Sequence, residues 1–412
     1  MRSYTRLKLA CYTGNVTMSV IGNLTPVLFL TLRSLYGISY SQLGLLVLIN
    51  FTTQLTVDLL FSFFSHKFNI PATVRAMPII GAVGLLLLGA TPFLFPQQIY
   101  LGLVLGTVVA SAASGLAEVL ISPVIAAIPA EDPDREMSKL HSVYAWGVVA
   151  VIPLFTLFLW GFGSENWMWL PMLSAIIPAV SAVLYAGTDI PPMETPERVS
   201  RVLEFMKNKT LWLCVVAIFL GGAAEVTMAQ WSSSYLEQAL GIPKVWGDVF
   251  GVALFGATLG IGRTLYAKIG KNIGRALFWG AVGATLCYLT AALTSWPILG
   301  LFACALTGFC VSMMWPGSLI VASDRFPDGG VFVFAMMAAG GDLGASVGPQ
   351  LVGSIADLVL ATPALSQLAA DLSLTPDQLG MKLGLLVGML FPLAGIGVYA
   401  AVRKMRKAAE KQ

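Results

Sequence analysis

The sequence predicts an all-α membrane protein with twelve transmembrane helices in two six-helix, pseudo-symmetric halves. Three observations carry that prediction. Hydrophobic residues make up 57% of the 412 positions, charged residues only 11%, and the mean hydropathy is +0.81, whereas a soluble chain is about a quarter charged. Apolar stretches of about 20 residues, the length that crosses a hydrocarbon core, recur twelve times along the chain. A polar, proline-containing stretch then divides these spans six and six.

In order, the first half holds spans 9–32, 41–65, 73–95, 98–128, 140–162 and 167–187. The fourth is long enough to tilt or to extend beyond the bilayer. The stretch 188–209, with Pro191, Pro192 and Pro196 among its charges, reads as a cytoplasmic linker with helical character around Glu197–Lys207. The second half, 210–412, holds spans 210–236, 247–268, 275–294, 297–321, 329–356 and 380–402, of which the first and fifth are again long. The loop 357–380 is longer than the others. Its 364–372 stretch suits a short helix, and Thr375-Pro376-Asp377 suits the start of the last span.

Charge orients these spans. With both termini cytoplasmic, every Lys and Arg except Arg33, Lys244, Arg263 and Lys382 falls in a cytoplasmic segment, which is the positive-inside pattern for an even number of spans. The net charge of +3 therefore reports topology and gives no sign of nucleic-acid binding. The first apolar segment is a full span with no small-residue cleavage site, so no cleavable signal peptide is expected. Cys11, Cys214, Cys287, Cys304 and Cys310 all lie in apolar segments without metal-ligand spacing and read as buried free thiols. Gly260-Ile261-Gly262 lies inside a span, away from any strand–helix context for a dinucleotide, and there is no Walker loop for ATP. No cofactor, metal or catalytic constellation is expected, and the chain is not read as an enzyme.

The halves resemble each other. Residues 29–38 parallel 233–242, Asp58 falls opposite Arg263, and Ser122-Pro123 matches Trp315-Pro316. Two six-helix halves around a central site, rocking to give alternating access, are the architecture of the major facilitator superfamily. Tyr266-Ala267-Lys268-Ile269-Gly270-Lys271 resembles that superfamily's cytoplasmic loop motif in degenerate form, while Ser65-His66-Lys67-Phe68 departs further from it. Gly115-Leu116-Ala117-Glu118 with Ser122-Pro123, Leu140–Gly147, and Gly340-Gly341-Asp342-Leu343-Gly344 with Gly348-Pro349 resemble the fucose permease group of sugar–proton symporters. That group has an acidic residue in its first span, where this chain has Asn23-Leu24-Thr25-Pro26; the departure implies that this chain couples differently, with Asp58 in span two as a substitute, or is not a proton symporter.

Intramembrane charge is costly, at least about 2.5–3.5 kcal/mol on insertion scales, and such groups face cavities, partners or substrates. Glu118 in span four is the first candidate for a proton-carrying group, against a reading as a structural hydrogen-bonding residue. Glu225 in span seven can bind substrate hydroxyls, carry a proton or pair with a cationic substrate, and Asp58 is a further coupling candidate. Asp58 and Arg263 are also read as bracing a gate, as is Asp342, just before a glycine-rich stretch where helices approach closely. His141, at the start of span five, is a substrate-binding candidate that can titrate near neutral pH, against a reading as a helix-end hydrogen-bonding residue; His66 reads as a solvated loop residue. A hydroxyl-rich ligand needs amides to bind its hydroxyls and aromatic rings to pack its C–H faces. Asn23, Asn50, Gln54, Gln230, Tyr144, Trp146, Trp231 and Trp315 supply these within the spans. Each has a plain alternative, as an amide bridging helices or an aromatic in the interfacial belt.

The resemblance implies proton-coupled uptake of a monosaccharide or glycoside by a monomer in a prokaryotic inner membrane. Its expected partners are the solute, protons and the lipid bilayer. The alternative is a proton-coupled exporter of drugs or organic cations, which intramembrane carboxylates would suit equally well. A sensor or scaffold that has kept the fold is a further rival.

Overall fold

Asparagine and threonine start several of the helices. In the computed structural model, which describes residues 4–64, 67–129, 133–191, 207–270, 272–326 and 330–409, Asn69 accepts from the amide of Ala72 at 3.1 Å ahead of α3 (Ile70–Leu94). Asn208 does the same for Thr210 at 2.9 Å ahead of α8 (Lys209–Leu240), and Asn272 for Arg275 at 3.0 Å ahead of α10 (Ile273–Leu293). Each cap satisfies one of the amides that the first turn leaves without a helical partner. α8 closes on Gly241, whose φ of 66° is left-handed backbone that suits glycine.

The remaining helices of the first half are α1 (Thr5–Tyr36), α2 (Tyr40–Phe64), α4 (Ile99–Ala127), α5 (Pro133–Phe162), α6 (Trp169–Ser174) and α7 (Ile176–Tyr185). In the second half a short turn (Lys244–Trp246) and a π-helical stretch (Gly247–Ala253) lead into α9 (Leu254–Ile269). Then follow α11 (Pro297–Val311), α12 (Met314–Arg325), α13 (Gly330–Ala361), α14 (Pro363–Asp371), α15 (Pro376–Gly388) and α16 (Leu390–Ala409). No strand occurs among the described residues. Among the described residues, ten helices or helix pairs are long and apolar enough to cross a membrane, and Trp146–Phe162 and Trp169–Tyr185 are shorter apolar helices. Together they account for the twelve expected spans.

The differences lie in the helix interiors, and proline explains two of them. The span expected as 167–187 is two helices meeting at Ala175, because Pro178 has no N–H for the Ser174 carbonyl. The span expected as 297–321 breaks at Ser312 and Met313, four residues before Pro316 for the same reason. The last span begins earlier than 380, at Pro376, because Thr375 and Gln378 form a reciprocal capping box. Thr375→Ala should therefore cost about 1 kcal/mol and lower the detergent melting temperature; an unchanged melt would mean that the box contributes nothing. The linker helicity expected at 197–207 lies outside the described residues, apart from Lys207.

The chain divides into residues 1–36 with 49–199, and residues 37–48 with 200–412. In the first unit α3 packs along α4, and α1 packs against α5 and α7. A Cβ on Gly84 would fall 2.4 Å from the Ala110 nitrogen, so α3 and α4 meet nearly backbone to backbone. In the second unit α8 packs along α13, α13 on α15, and α10 on α11 and α16. The first residues of α2 belong to this unit. The Asp357 carboxylate accepts from the amides of Tyr40 (2.9 Å) and Ser41 (2.6 Å), and the Tyr40 hydroxyl donates to Asp377 at 2.9 Å.

Candidate functional site

In the second unit the site grows from a proline. A helical carbonyl accepts from the amide four residues on, and at Ser312 that residue is Pro316, which has none. The Arg263 Nε donates to this carbonyl at 3.1 Å. That bond holds the guanidinium across the break between α11 and α12. Nη2 of the same side chain then lies 3.2 Å from both carboxylate oxygens of Glu225, mid-way along α8. The two side chains are 42% and 17% exposed, respectively, so the pair is open on the arginine side and largely enclosed on the glutamate side. An arginine in an apolar helix needs such an arrangement, since the ion pair and the carbonyl replace water.

Trp315 completes this cluster. A Cβ on Gly341 would lie 2.4 Å from its indole ring, and one on Gly222 would lie 2.9 Å from it. The ring therefore occupies a slot cut by two glycines on α8 and α13, one turn from Glu225. Trp315 itself is half-buried. Asp342, next to Gly341, is buried, and its backbone carbonyl accepts from the Ser346 hydroxyl at 2.7 Å.

In the first unit Thr107, Ser111, Ser114 and Glu118 are spaced four, three and four residues apart, which places them on one face of α4. The first three are buried, and Glu118 at the end of the stripe is exposed. Its carboxylate makes no hydrogen bond or ion pair among the described residues. The Ser111 hydroxyl donates to Asn50 Oδ1 at 2.6 Å, tying this stripe to α2. A Cβ on Gly115 would sit 3.1 Å from the Cα of Gln54, so α2 and α4 cross closely there. Asn50, Gln54 and Asp58 follow one another at four-residue steps on α2 and are all buried.

The other candidates separate into groups. The Asn23 amide donates to the Ser19 carbonyl in its own helix at 2.8 Å, and Ser19 in turn donates to the Tyr144 carbonyl at 2.9 Å, so this run joins α1 to α5. The Tyr144 side chain is exposed. Trp146 is 71% exposed and shares an apolar stripe with Leu154 and Leu157, the pattern of a lipid-facing surface. Trp231 is fully buried, its indole N–H donating to the Pro349 carbonyl at 2.9 Å and its ring meeting Tyr40 edge-on at 6.0 Å. Gln230 is buried beside it. The side chain of His141, and all of His66, lie outside the described residues. Ser312 and the Thr107–Ser111–Ser114 stripe were not picked out by sequence reasoning. Pro316 was the signal for the first, and the four-three-four spacing for the second. No group of three or more metal-ligating side chains occurs among the described residues.

Comparison with known proteins decides the family. The model of the Major Facilitator Superfamily matches residues 11–349. The chain belongs to that superfamily. It is accordingly a membrane transporter that works by alternating access, and not an enzyme. No curated protein matches it in sequence. Among solved structures, a bacterial homolog of the human lysosomal transporter Spinster, inward-facing and occupied, is similar at a TM-score of 0.71 and 16% identity, with 98% of this chain and 97% of that one covered. The nucleoside transporter NupG is similar at 0.71 and 13% identity, covering 97% and 99%. The E. coli fucose:proton symporter FucP is similar at 0.57 and 15%, covering 96% and 99%. At these identities the likeness concerns the fold.

Proposed function

We propose that this superfamily member is a proton-coupled importer of a small hydroxylated solute, a monosaccharide or glycoside, with Glu118 as the proton-carrying group. The observation that carries the reading is the position of Glu118: an exposed carboxylate at the end of a hydroxyl-lined face, inside a helix otherwise apolar enough to span the membrane. A lone charge there would cost several kcal/mol against lipid. Water or a substrate must reach it, and a carboxylate in such a place can take up and release a proton as access alternates. The similarity to FucP, a fucose:proton symporter, supports the same reading.

Asn50 and Gln54 are the hydroxyl-binding candidates within the first unit, and Trp315 is an aromatic face within the second. Asp58 is a further proton site or a brace for α2. Asp342 keeps a structural role, Arg263 holds the break between α11 and α12 through its Nε, and Gln230 and Trp231 form a wall rather than a direct contact. The halves correspond to residues 1–187 and 210–412, with 188–209 as the cytoplasmic linker. The protein works as a monomer in a prokaryotic inner membrane with both termini cytoplasmic.

The organic-cation exporter is the weaker alternative, because Glu225 already has a cation, Arg263, against both of its oxygens. Glu118→Gln is expected to abolish accumulation against a gradient in proteoliposomes while leaving solute exchange intact. Normal accumulation by that variant would remove Glu118 from the mechanism.

A further inference from the structure

We infer that the solute carries a carboxylate and that Arg263 is its anchor; this rests on the importer reading above and narrows its substrate to acidic sugars. The argument begins with the unused end of the guanidinium. Nε is committed to the Ser312 carbonyl and Nη2 to Glu225. Nη1, with two N–H groups, has no acceptor among the described residues. Arginine has five donors in a rigid plane and no acceptor of its own. With two of its three nitrogens held, the side chain is fixed, so Nη1 presents two oriented donors at no further ordering cost.

The side chain that carries those donors is open. The Arg263 side chain is 42% exposed although its helix is apolar enough to span a membrane. One turn earlier, Gly260 leaves open space beside the same helix, with nothing within 4 Å of where a Cβ would be.

The surroundings define the ligand. Trp315 is held flat in its glycine slot one turn beyond Ser312, so an aromatic face and a guanidinium fork come from the same break in the chain. A pyranose ring packs its C–H face on an indole, and a carboxylate on that ring accepts charge-assisted hydrogen bonds from the fork. A neutral hydroxyl would use the same donors less strongly. Glu225 neutralises Arg263 when no solute is bound, which lets the fork exist in an empty carrier. A bound carboxylate adds one negative charge, and the one proton of the importer reading offsets it, so the loaded and empty proteins carry the same net charge. Other charged groups on the elements packed around α8 are Lys244 and Asp248, which pair with each other, Asp342, which is buried, Asp357 and Asp377, which bond Tyr40 and Ser41, Asp324 and Arg325 at the end of α12, Arg403 and Lys404 towards the end of α16, and Lys382, whose Nζ donates to the Thr294 carbonyl. None of them is bonded to Arg263 or Glu225.

The experiment is proton-linked uptake in proteoliposomes, comparing D-glucuronate, D-galacturonate and D-gluconate with D-glucose and D-galactose. At least one acid should alkalinise the outer medium, while its parent sugar acts at least about 10-fold more weakly, the scale of one lost charge-assisted hydrogen bond. Arg263→Lys should raise the half-saturating concentration of that acid, because an ammonium is a point charge without the fork. Arg263→Gln should abolish the response. If the single Gln variant does not fold, the double variant with Glu225→Gln, which strands no charge, carries the same expectation. A parent sugar that moves protons as well as its acid, or an Arg263→Gln protein with unchanged half-saturation, overturns the inference and leaves the importer reading standing. Silence with all five solutes overturns both.

Discussion

Replacing Arg263 with glutamine should be among the most damaging single substitutions in the second half, and removing Glu225 as well should repair most of the damage. Arg263→Gln leaves the Glu225 carboxylate mid-way along a 32-residue apolar helix without its cation. A charge so placed costs at least about 2.5–3.5 kcal/mol on insertion scales. Its 17% exposure lets some water reach it, which places the loss toward the low end of that range. Glu225→Gln should be milder. The guanidinium left behind is 42% exposed and keeps its bond to the Ser312 carbonyl. In the double variant no charge is stranded, so stability should return even though transport does not. Residues in direct contact are the ones for which such effects do not add. Thermal unfolding of the four proteins in detergent, read by size exclusion after heating, gives the coupling directly. If the single Arg263 variant and the double variant unfold together, the pair carries no stability and Arg263 is held by the Ser312 carbonyl alone.

That pair also marks where sequence reading stops. Both residues stood out as charges within apolar spans, and each received a role of its own. Their partnership did not, because they are 38 residues apart on different helices and their meeting depends on how α8 and α9 are rotated about their axes. Hydropathy records that a segment is buried, and in an apolar span it says little about which side faces what. Trp146 shows the same limit from the other side: as an aromatic beside Tyr144 it looked available to a sugar, yet it shares an exposed apolar stripe with Leu154 and Leu157. Backbone chemistry was more legible. Pro178 and Pro316 each remove an amide at a known offset, and the helices break four residues or fewer before them. Thr375-Pro376-Asp377 started a helix as its capping chemistry requires. The number of spans was readable for the same reason, since it follows from solvent and length and not from the partner each helix meets.

The glycine-rich stretch of α13 lies between these cases, legible as a close-packing surface while its partner was not, and it supplies the sharpest test of how the site is held. A Cβ on Gly344 would fall 2.0 Å from the Phe219 carbonyl oxygen, and one on Gly348 would fall 2.1 Å from the Thr227 hydroxyl. Real atoms do not approach so closely, so any larger residue must push α13 off α8. In a membrane no hydrophobic effect between helices draws them back, and association rests on close packing itself. Gly344→Leu should therefore exceed the usual overpacking cost of about 1–3 kcal/mol, giving a protein that aggregates on extraction or melts well below the parent. The displacement also reaches function, because the same two helices hold Trp315 between Gly222 and Gly341, one turn from Glu225. Gly397→Leu on α16 is the matched control: nothing lies within 4 Å of the added Cβ, and leucine favours the helix by up to about 1 kcal/mol over glycine. That variant should extract, melt and transport like the parent. Equal behaviour of the two leucine variants would mean that α8 and α13 do not depend on backbone-level contact, and that the Trp315 slot is not what sets the aromatic face of the site.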